Sequence, residues 1–230
     1  MIDVLSWNIQ QGGGSRTVGI IQSLVDSKAH IIVLSEFRNN RHGKLIRESL
    51  QKARFKYQYL TEAPAQKNTV FIASKVEAKP WYFRDYDPNY PDNIIGLDFG
   101  AFALYGMYLP HKKKHALFDL LISEVQEHTP SILVGDFNSG KNFIDQAKDS
   151  FWYTDKLEKL ESLDMVDAFR AKQGQIKEYS WYSHRGNGYR YDHTYVHKML
   201  LPMVHDCRYI HEWRENRLSD HSPMVLTLNP

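Results

Sequence analysis

Short apolar runs of strand length recur along this chain, and they constrain its fold more than any other feature. They lie near residues 2–7, 30–36, 69–74, 93–99, 101–109, 131–135, 189–197 and 223–228. Apolar residues at helical spacing separate some of these runs, near residues 20–25, 117–125 and 152–163. Strands alternate with helices early in the chain, and hairpin-like pairs of strands follow. The pattern predicts a layered α/β domain with mixed β-sheets rather than a purely parallel sheet.

The ends of these runs carry carboxylate, carboxamide, phenol and imidazole groups. The set is Asn8, Glu36, Tyr108, Asp136, Asn138, Asp192, Asp220 and His221. In an extended chain side chains alternate, so Asp136 and Asn138 are expected to share one side of the strand. Asp and Asn also favour turns, so ILVGDFNSG at 132–140 is by itself equally consistent with an ordinary turn. Functional groups gathered at several strand ends predict a site at the edge of the sheets.

Length and composition favour one domain with a large core. The chain has 230 residues, of which 42% are hydrophobic, and no linker-like or repetitive segment divides it. We therefore expect one catalytic domain over residues 1–230. The single cysteine, Cys207, cannot form an internal disulfide and excludes a cysteine-based structural zinc site. The chain begins with a strand-like segment, and no apolar run approaches the ~18–20 residues that span a bilayer. We expect a soluble cytoplasmic protein with no membrane span and no obligate protein partner.

Local basic clusters say more about partners than the formal net charge of +2. HKKKH at 111–115 and HRGNGYR at 184–190 could each contact phosphate. A run of lysines is also common at the solvated start of a helix, so both interpretations of 111–115 remain open.

Five motifs follow one another in an order that resembles the endonuclease/exonuclease/phosphatase superfamily. They are SWN at 6–8, SE at 35–36, GDFN at 135–138, YRYD at 189–192 and SDH at 219–221. The resemblance extends over almost the whole chain. It implies a DNase I-like fold, which is a four-layer α/β sandwich of two packed mixed β-sheets flanked by helices. It also implies hydrolysis of phosphodiester or phosphomonoester bonds with Mg²⁺, for which Mn²⁺ can substitute.

The strand-end residues suit a metal site on chemical grounds as well. Mg²⁺ is a hard cation that prefers oxygen ligands. We expect Glu36 to be its principal ligand, with Asn8 and Asp220 close to the ion or its waters. Glu36 could instead form a surface ion pair with Arg38.

The same residues can supply the groups that phosphoester hydrolysis requires. Attack by water needs an activated nucleophile and stabilisation of charge on the phosphoryl oxygens. Asp136 would orient and deprotonate the water, and Asn138 would hydrogen-bond the water or the phosphate. His221 would donate a proton or hydrogen bond, with Asp192 orienting its ring and raising its pKa. The SDH motif and an Asp partner distinguish His221 from the other histidines of this chain.

Further motifs resemble the exonuclease III and abasic-site endonuclease branch. Tyr108 and Pro110 match a Tyr and Pro of that branch, whose tyrosine hydroxyl helps to hold the phosphate, whereas His111 stands where Asn or Gln is usual. Tyr108 could also simply be a buried strand-end residue. Gln10 replaces an acidic residue, which weakens a second metal contact, and the chain is short for an abasic-site enzyme.

A segment before Asp192 also resembles that branch. We expect substrate contacts from His111, Trp181, Asn187, Tyr189 and Arg190, because aromatic rings stack on bases and Arg pairs with phosphate. Aromatic hairpins are also common core material, so Trp181 and Tyr189 could instead be buried.

Together these patterns predict a Mg²⁺-dependent phosphodiesterase whose substrate is nucleic acid, with DNA favoured. A phosphoesterase acting on a small-molecule or lipid phosphate would use the same catalytic set. A binding module that kept the fold without activity is a third possibility. Specificity in such folds depends on loops, so the sequence does not distinguish endonuclease from exonuclease action.

Overall fold

Fourteen β-strands and six α-helices make up the computed structural model, which describes residues 1–148 and 150–229. In chain order the strands are β1 (Ile2–Asn8), β2 (Ile31–Phe37), β3 (Tyr57–Leu60), β4 (Thr69–Ser74), β5 (Lys79–Tyr82), β6 (Ile94–Asp98), β7 (Ala103–Tyr108), β8 (Ser131–Asp136), β9 (Met165–Asp167), β10 (Trp181–Tyr182), β11 (Gly188–Tyr189), β12 (Asp192–His197), β13 (Val204–Tyr209) and β14 (Met224–Leu228). The helices are α1 (Thr17–Asp26), α2 (Arg41–Lys52), α3 (His115–Glu127), α4 (Thr154–Ser162), α5 (Ala168–Gln173) and α6 (His211–Glu215).

Two mixed six-stranded sheets form the centre of the fold. The first has the strand order β13-β14-β1-β2-β4-β3 and the second has the order β5-β6-β7-β8-β12-β9. Strand β1 runs parallel to β2 and antiparallel to β14, and β7 runs parallel to β8. Strands β10 and β11 form a separate two-stranded ribbon.

The sheets pack face to face because each contributes an apolar inner face. Val4 and Val33 of the first sheet share a buried cluster with Val134 and Val196 of the second. Gly106 on β7 permits this close approach, since a Cβ there would lie 2.8 Å from side-chain atoms of Val33 and Ile72.

Helices cover the outer face of each sheet. Leu5 and Trp7 of β1 pack in one outer cluster with residues of α1 and α2, and Leu133 of β8 packs in another with residues of α3 and α4. Strands β4, β8 and β12 are consequently buried along their whole length. Burial on both faces explains the nearly continuous apolar runs of β4 and β8. The predicted four-layer sandwich is confirmed.

The eight predicted strands occur within a few residues of their predicted bounds, with one correction. The strand predicted at 189–197 begins only at Asp192, because residues 188–189 pair in the separate ribbon. Among the elements that the periodicity missed, β5 is a short edge strand that contains Pro80. Helix α2 was missed because it buries only Gly43, Ile46 and Leu50. No helix in residues 1–148 or 150–229 is long and apolar enough to cross a membrane.

Strand alternation aims several polar side chains into the crevice between the sheets. Asn8 follows Val4 at even spacing on β1, and Asp136 follows Val134 on β8, so both share the inner face with those valines. In the second sheet, Tyr108 and Asp192 are both register partners of Asp136. One end of the crevice therefore collects polar groups from both sheets.

Candidate active site

Asn8 joins two carboxylates that belong to different sheets. Its Nδ2 donates to Glu36 Oε1 at 3.1 Å and to Asp136 Oδ2 at 2.8 Å. Its Oδ1 accepts from the backbone N–H of Gln10 at 2.9 Å, which fixes the orientation of the amide. Asn8 thereby positions the two acids. Its predicted place close to the metal ion or its waters stays a prediction.

Glu36 reaches the crevice only because the backbone departs from regular β-structure. Simple alternation would place it beside Leu34, on the outer face of the first sheet. Its φ of +54° and a register shift in the β2–β4 pairing turn its side chain inward. Backbone strain of this kind concentrates at functional sites.

Three donors hold the Glu36 carboxylate in its inward position. Besides Asn8, the backbone N–H of Gln11 donates to Oε2 at 2.8 Å, and Asn68 Nδ2 donates to the same oxygen at 2.9 Å. Arg38 does not pair with Glu36 as the surface alternative proposed; its Nε donates to Asn68 Oδ1 at 2.6 Å. Asn68 was not predicted, because it lies in a loop before β4 without a local motif.

Asp136 and Asn138 do lie together, although for a different reason from the one the sequence suggested. Strand β8 ends at Asp136, and Asn138 has a φ of +46°, so the pair is not part of one extended strand. The backbone N–H of Asn138 donates to Asp136 Oδ1 at 2.8 Å, and its Nδ2 donates to Oδ2 at 3.1 Å. Burial and the neighbouring Asp192 raise the pKa of Asp136 to about 7, against the effects of His221 and Asn8.

His221 is paired with Asp192, as predicted from the SDH motif. Its Nδ1 lies 2.7 Å from Asp192 Oδ2, and the backbone carbonyl of His221 accepts from Trp7 Nε1 at 2.9 Å. Burial lowers the pKa of His221, but Asp192, Asp136 and Asp220 outweigh it and raise the pKa to about 10. The ring is therefore an imidazolium at neutral pH, which can donate from Nε2 but cannot ligate a metal.

The donor set fits a hard divalent cation. Ligand atoms of Asp136, Asp192 and His221 lie within 4.8 Å of one another, and Asp192 Oδ1 has no hydrogen-bond partner among the described residues. Because Asp192 raises the pKa of His221 and holds its Nδ1 at 2.7 Å, we assign metal-binding capacity to the carboxylates rather than to this ring. Glu36 and Asp220 both lie near Arg16, since burial lowers the pKa of its guanidinium and the two carboxylates act in the opposite direction.

Tyr108 completes the catalytic side of the crevice. Burial, Glu36 and Asp136 raise its pKa well above the usual range, so it stays a neutral hydroxyl donor. That hydroxyl faces Asn68 and Glu36. The backbone carbonyl of Tyr108 accepts from Asn93 Nδ2 at 2.5 Å, which fixes the end of β7.

The sequence matches the Endonuclease/Exonuclease/phosphatase family over residues 5–221. The chain belongs to this family. No curated protein gives a sequence match. Three similar solved structures each share 20% identity with this chain, and each alignment covers 100% of both chains. They are a 3′ phosphatase, NExo, from Neisseria bound to a product DNA hairpin (TM-score 0.84), the 3′–5′ exonuclease NExo from Neisseria meningitidis (0.83) and an AP endonuclease from Archaeoglobus fulgidus (0.85). These similarities confirm the DNase I-like fold.

In this family member, three of the five predicted substrate-contact residues line or adjoin the crevice. His111 and Tyr189 line a cavity beside Asn138. Trp181 Nε1 donates to Asp220 Oδ2 at 3.1 Å, and the Trp181 ring packs against Tyr189. Asn187 does not line that cavity. It lies at the exposed turn of the β10–β11 ribbon, where its N–H donates to Ser183 Oγ, and it shares a second, smaller cavity with Tyr189.

The prediction of a phosphate contact for Arg190 is corrected by its burial. Its side chain is fully buried, and its Nε donates to Asp145 Oδ1 at 2.7 Å while its terminal nitrogens pair with Asp167. The guanidinium also lies over the Phe169 ring. No surface of Arg190 is left for a substrate, so its role is to hold the segment before Asp192 on the core.

Arg190→Met is expected to lower the free energy of unfolding by about 3–5 kcal/mol, because Asp167 would lose its arginine and Asp145 would keep only Arg170. Although burial raises it, Arg190 and His193 hold the pKa of Asp145 well below its usual range. The stability that the ionised Asp145 carboxylate contributes is thus present above its unfolded pKa of about 3.9, and it is lost as pH falls. Denaturant unfolding at pH 7 measures the effect. Arg208→Met, which removes an exposed partner of Asp206, is the control and should change stability by less than about 1 kcal/mol. Equal losses in the two variants would contradict this role for Arg190.

Lys114 is a functional residue that the sequence did not reveal. The lysine run at 111–115 was interpreted as either a phosphate contact or a solvated helix start, yet Lys114 is fully buried. Its Nζ donates to the backbone carbonyls of Phe137 at 2.8 Å and Asn138 at 2.6 Å, and it lies over the Tyr153 ring. Burial lowers its pKa to about 7, although Asp136 acts in the opposite direction. Lys114 therefore supports the turn that carries Asp136 and Asn138.

Lys114→Met is expected to lower kcat about 10- to 100-fold, because both carbonyls lose their donor and the turn can shift relative to the other site residues. The Michaelis constant should change less, since Lys114 itself does not face substrate. Steady-state kinetics on a cleaved substrate, with a thermal unfolding curve for each protein, measure the effect. Lys113→Met, at the exposed neighbouring position, is the matched control. Equal kcat values for the two variants would disprove the supporting role.

Proposed function

We propose that this protein is a divalent-metal-dependent phosphodiesterase that hydrolyses DNA. The observation that carries the proposal is the buried cluster of Asp136, Asp192 and His221, joined through Asn8 to Glu36 of the opposite sheet. It combines a base, an imidazolium and a carboxylate free to bind a cation in one crevice. The printed activities of the structural neighbours, a 3′ phosphatase, a 3′–5′ exonuclease and an AP endonuclease, support DNA as the substrate class.

Mg²⁺ is the proposed cofactor, with Mn²⁺ as a substitute of similar ligand preference. Glu36 is the proposed principal ligand, and Asp220 is proposed to hold one of the ion's waters. When bound, the ion would neutralise charge on the phosphoryl oxygens and assist the leaving oxygen. The cytoplasm is the proposed location, in keeping with a single, buried, unpaired Cys207.

The residues of the chain would divide the remaining work. Asp136 accepts the proton of the attacking water, and its raised pKa suits that role. Asn138 holds the turn and is placed to position the water. His221 donates from its imidazolium to a phosphoryl oxygen, and Asp192 keeps the ring charged and oriented. The Tyr108 hydroxyl donates to the phosphate.

The test compares phosphate classes under defined metal conditions. Supercoiled plasmid, labelled duplex oligonucleotides, inositol phosphates and p-nitrophenyl phosphate are incubated with Mg²⁺, with Mn²⁺ or with EDTA. We expect cleavage of DNA with either metal and none with EDTA. Glu36→Gln should need a higher Mg²⁺ concentration for half-maximal rate, whereas Glu158→Gln, at an exposed position of α4, should not. Turnover of a monoester without DNA cleavage at any metal concentration would identify a small-molecule phosphoesterase instead.

A further inference from the structure

An aromatic cavity of about 340 Å³ opens directly beside Asn138. The lining includes five aromatic residues: Phe151, Trp152, Tyr153, Tyr189 and Tyr191. Its volume lies at the lower end of the range for small-ligand sites, about 300–1,000 Å³. The cavity thus has room for a single group the size of a nucleoside, next to the proposed position of the phosphate.

One wall of the cavity is a set of packed rings that leads to the catalytic histidine. Tyr189 and Tyr191 are stacked, with centroids 5.4 Å apart and an interplanar angle of 11°. Phe151 packs edge-on against both rings. The Tyr191 centroid lies 6.5 Å from that of His221. A group that fills the cavity would therefore be attached close to the phosphate on which His221 acts.

The rim of the cavity carries an aromatic ring that has no structural role in the core. Trp152 is 66% exposed, whereas its neighbours Phe151 and Tyr153 are buried. The Nζ of Lys112 lies 5.0 Å from the Trp152 ring. A large exposed indole beside a cation is suited to stack on a flat, electron-rich group that carries negative charge nearby.

The polar part of the lining favours a phosphate-bearing ligand. Lys112 is the cationic residue of the lining, and Asn138, Ser139 and Ser150 supply neutral polar groups. His111 also lines the cavity, with its pKa lowered by burial and by Lys114 and Lys112. None of the described lining residues is acidic. The basic run at 111–115 is therefore divided between two roles, because Lys112 borders the cavity while Lys114 lies buried beneath the catalytic turn.

We propose that this cavity binds the nucleobase of the nucleotide that carries the scissile phosphate, with Trp152 as its stacking surface. The inference rests on the proposed DNA hydrolysis and narrows it to nucleotides that carry a base. A sugar without a base would leave the aromatic wall and Trp152 exposed to water, and a polyol such as inositol would present hydroxyl groups to these rings. A nucleobase covers them with a flat surface, and such stacking tolerates every base.

The first experiment varies only the base. Two oligonucleotides are identical except that the nucleotide at the scissile phosphate carries thymine or is replaced by its tetrahydrofuran analogue, which lacks a base. Trp152→Ala is expected to lower kcat/KM about 5- to 150-fold for the thymine substrate, from the usual strength of one base–aromatic stack. It should change the rate on the tetrahydrofuran substrate by less than about twofold. Met199→Ala, an exposed apolar residue beyond the opposite end of β12, should change neither rate.

A second measurement does not depend on catalysis. Calorimetry in EDTA compares the binding of thymidine 5′-monophosphate and deoxyribose 5-phosphate to the wild-type protein and to Trp152→Ala. We expect the base-bearing ligand to bind more tightly, and the difference to disappear in the variant. Tighter binding of inositol phosphate than of the nucleotide would overturn the proposal.

The outcomes separate this inference from the proposed function. Cleavage of both oligonucleotides with equal losses in Trp152→Ala would overturn the base site and leave DNA hydrolysis intact. Absence of any DNA cleavage, together with Trp152-dependent nucleotide binding, would reject DNA as substrate and retain the base site. Thermal unfolding checks whether Trp152→Ala is less stable than the wild-type protein. If it is, the same measurements are made on Trp152→Leu.

Discussion

Asp136→Asn is expected to lower kcat about 10²- to 10⁴-fold with little change in KM, which is the range for loss of a general base or a key electrostatic group. An amide cannot accept the proton of the attacking water at neutral pH. The substitution also replaces one of two accepting oxygens by a donor, since Asp136 Oδ1 accepts from the backbone N–H of Asn138 and Oδ2 accepts from the side-chain amides of Asn8 and Asn138. The base is thus removed, and at least one of the groups that held it loses its acceptor.

Kinetics on a cleaved DNA substrate test this prediction, with thermal unfolding to confirm that the variant is folded. Because the pKa of Asp136 is raised to about 7, the wild-type kcat should fall as pH decreases through that value, as the carboxylate takes up a proton. The acidic limb should be absent from the residual activity of the variant. Asp119→Asn, an exposed carboxylate paired with Lys156, is the control and should remain within about twofold of wild type. A loss smaller than about tenfold in Asp136→Asn would show that another group activates the water.

His221→Ala is the second change with a large expected effect, again about 10²- to 10⁴-fold in kcat. It removes the imidazolium that faces the phosphate and leaves both oxygens of the buried Asp192 without a partner. His221→Gln is the companion variant, because its amide can still donate to a carboxylate. Both variants should lose activity, and recovery to wild-type activity in His221→Gln would show that charge on residue 221 is not required.

Asp192→Asn keeps a hydrogen-bond acceptor for the His221 ring but removes the negative charge beside it. Asp192 is the main group that raises the pKa of His221 to about 10, so its neutralisation should lower that pKa. The protonated form would then be lost at a lower pH, and the alkaline limb of kcat should move downwards. An NMR titration of the ring measures the same shift without substrate. An unchanged titration would show that Asp136 and Asp220 hold the proton without Asp192.

The sequence predicted the layers of the fold and the residues that we propose to be catalytic, because both depend on local patterns. Runs of apolar residues identify the inner strands, and motifs at their ends placed Asp136, Asp192 and His221 at one edge. The supporting residues depend on tertiary contacts that leave no local pattern. Asn68 acts through a carboxylate more than thirty residues away in sequence, at 2.9 Å from its Nδ2. Lys114 was hidden within a lysine run, and Arg190 within an aromatic segment that resembles a substrate-binding loop.

For Glu36, the sequence motif identified the residue but did not predict how its side chain reaches the site. Its motif was recognised, but alternation along β2 would have placed its side chain on the outer face. The positive φ and the register shift that turn it inward are properties of the folded backbone. Asn138 is similar, since its proximity to Asp136 arises from a left-handed turn rather than from extended alternation.

The bridge made by Asn8 makes the proposed activity depend on the docking of the two sheets against each other. Glu36 belongs to one sheet and Asp136 to the other, and one amide reaches both. A chain with both sheets formed but not yet docked would hold the two acids apart and could not hydrolyse DNA. The same applies to a partly opened protein under heat or denaturant, so hydrolysis should disappear before the secondary structure does. Loss of activity is therefore a sensitive reporter of separation between the two halves of the sandwich.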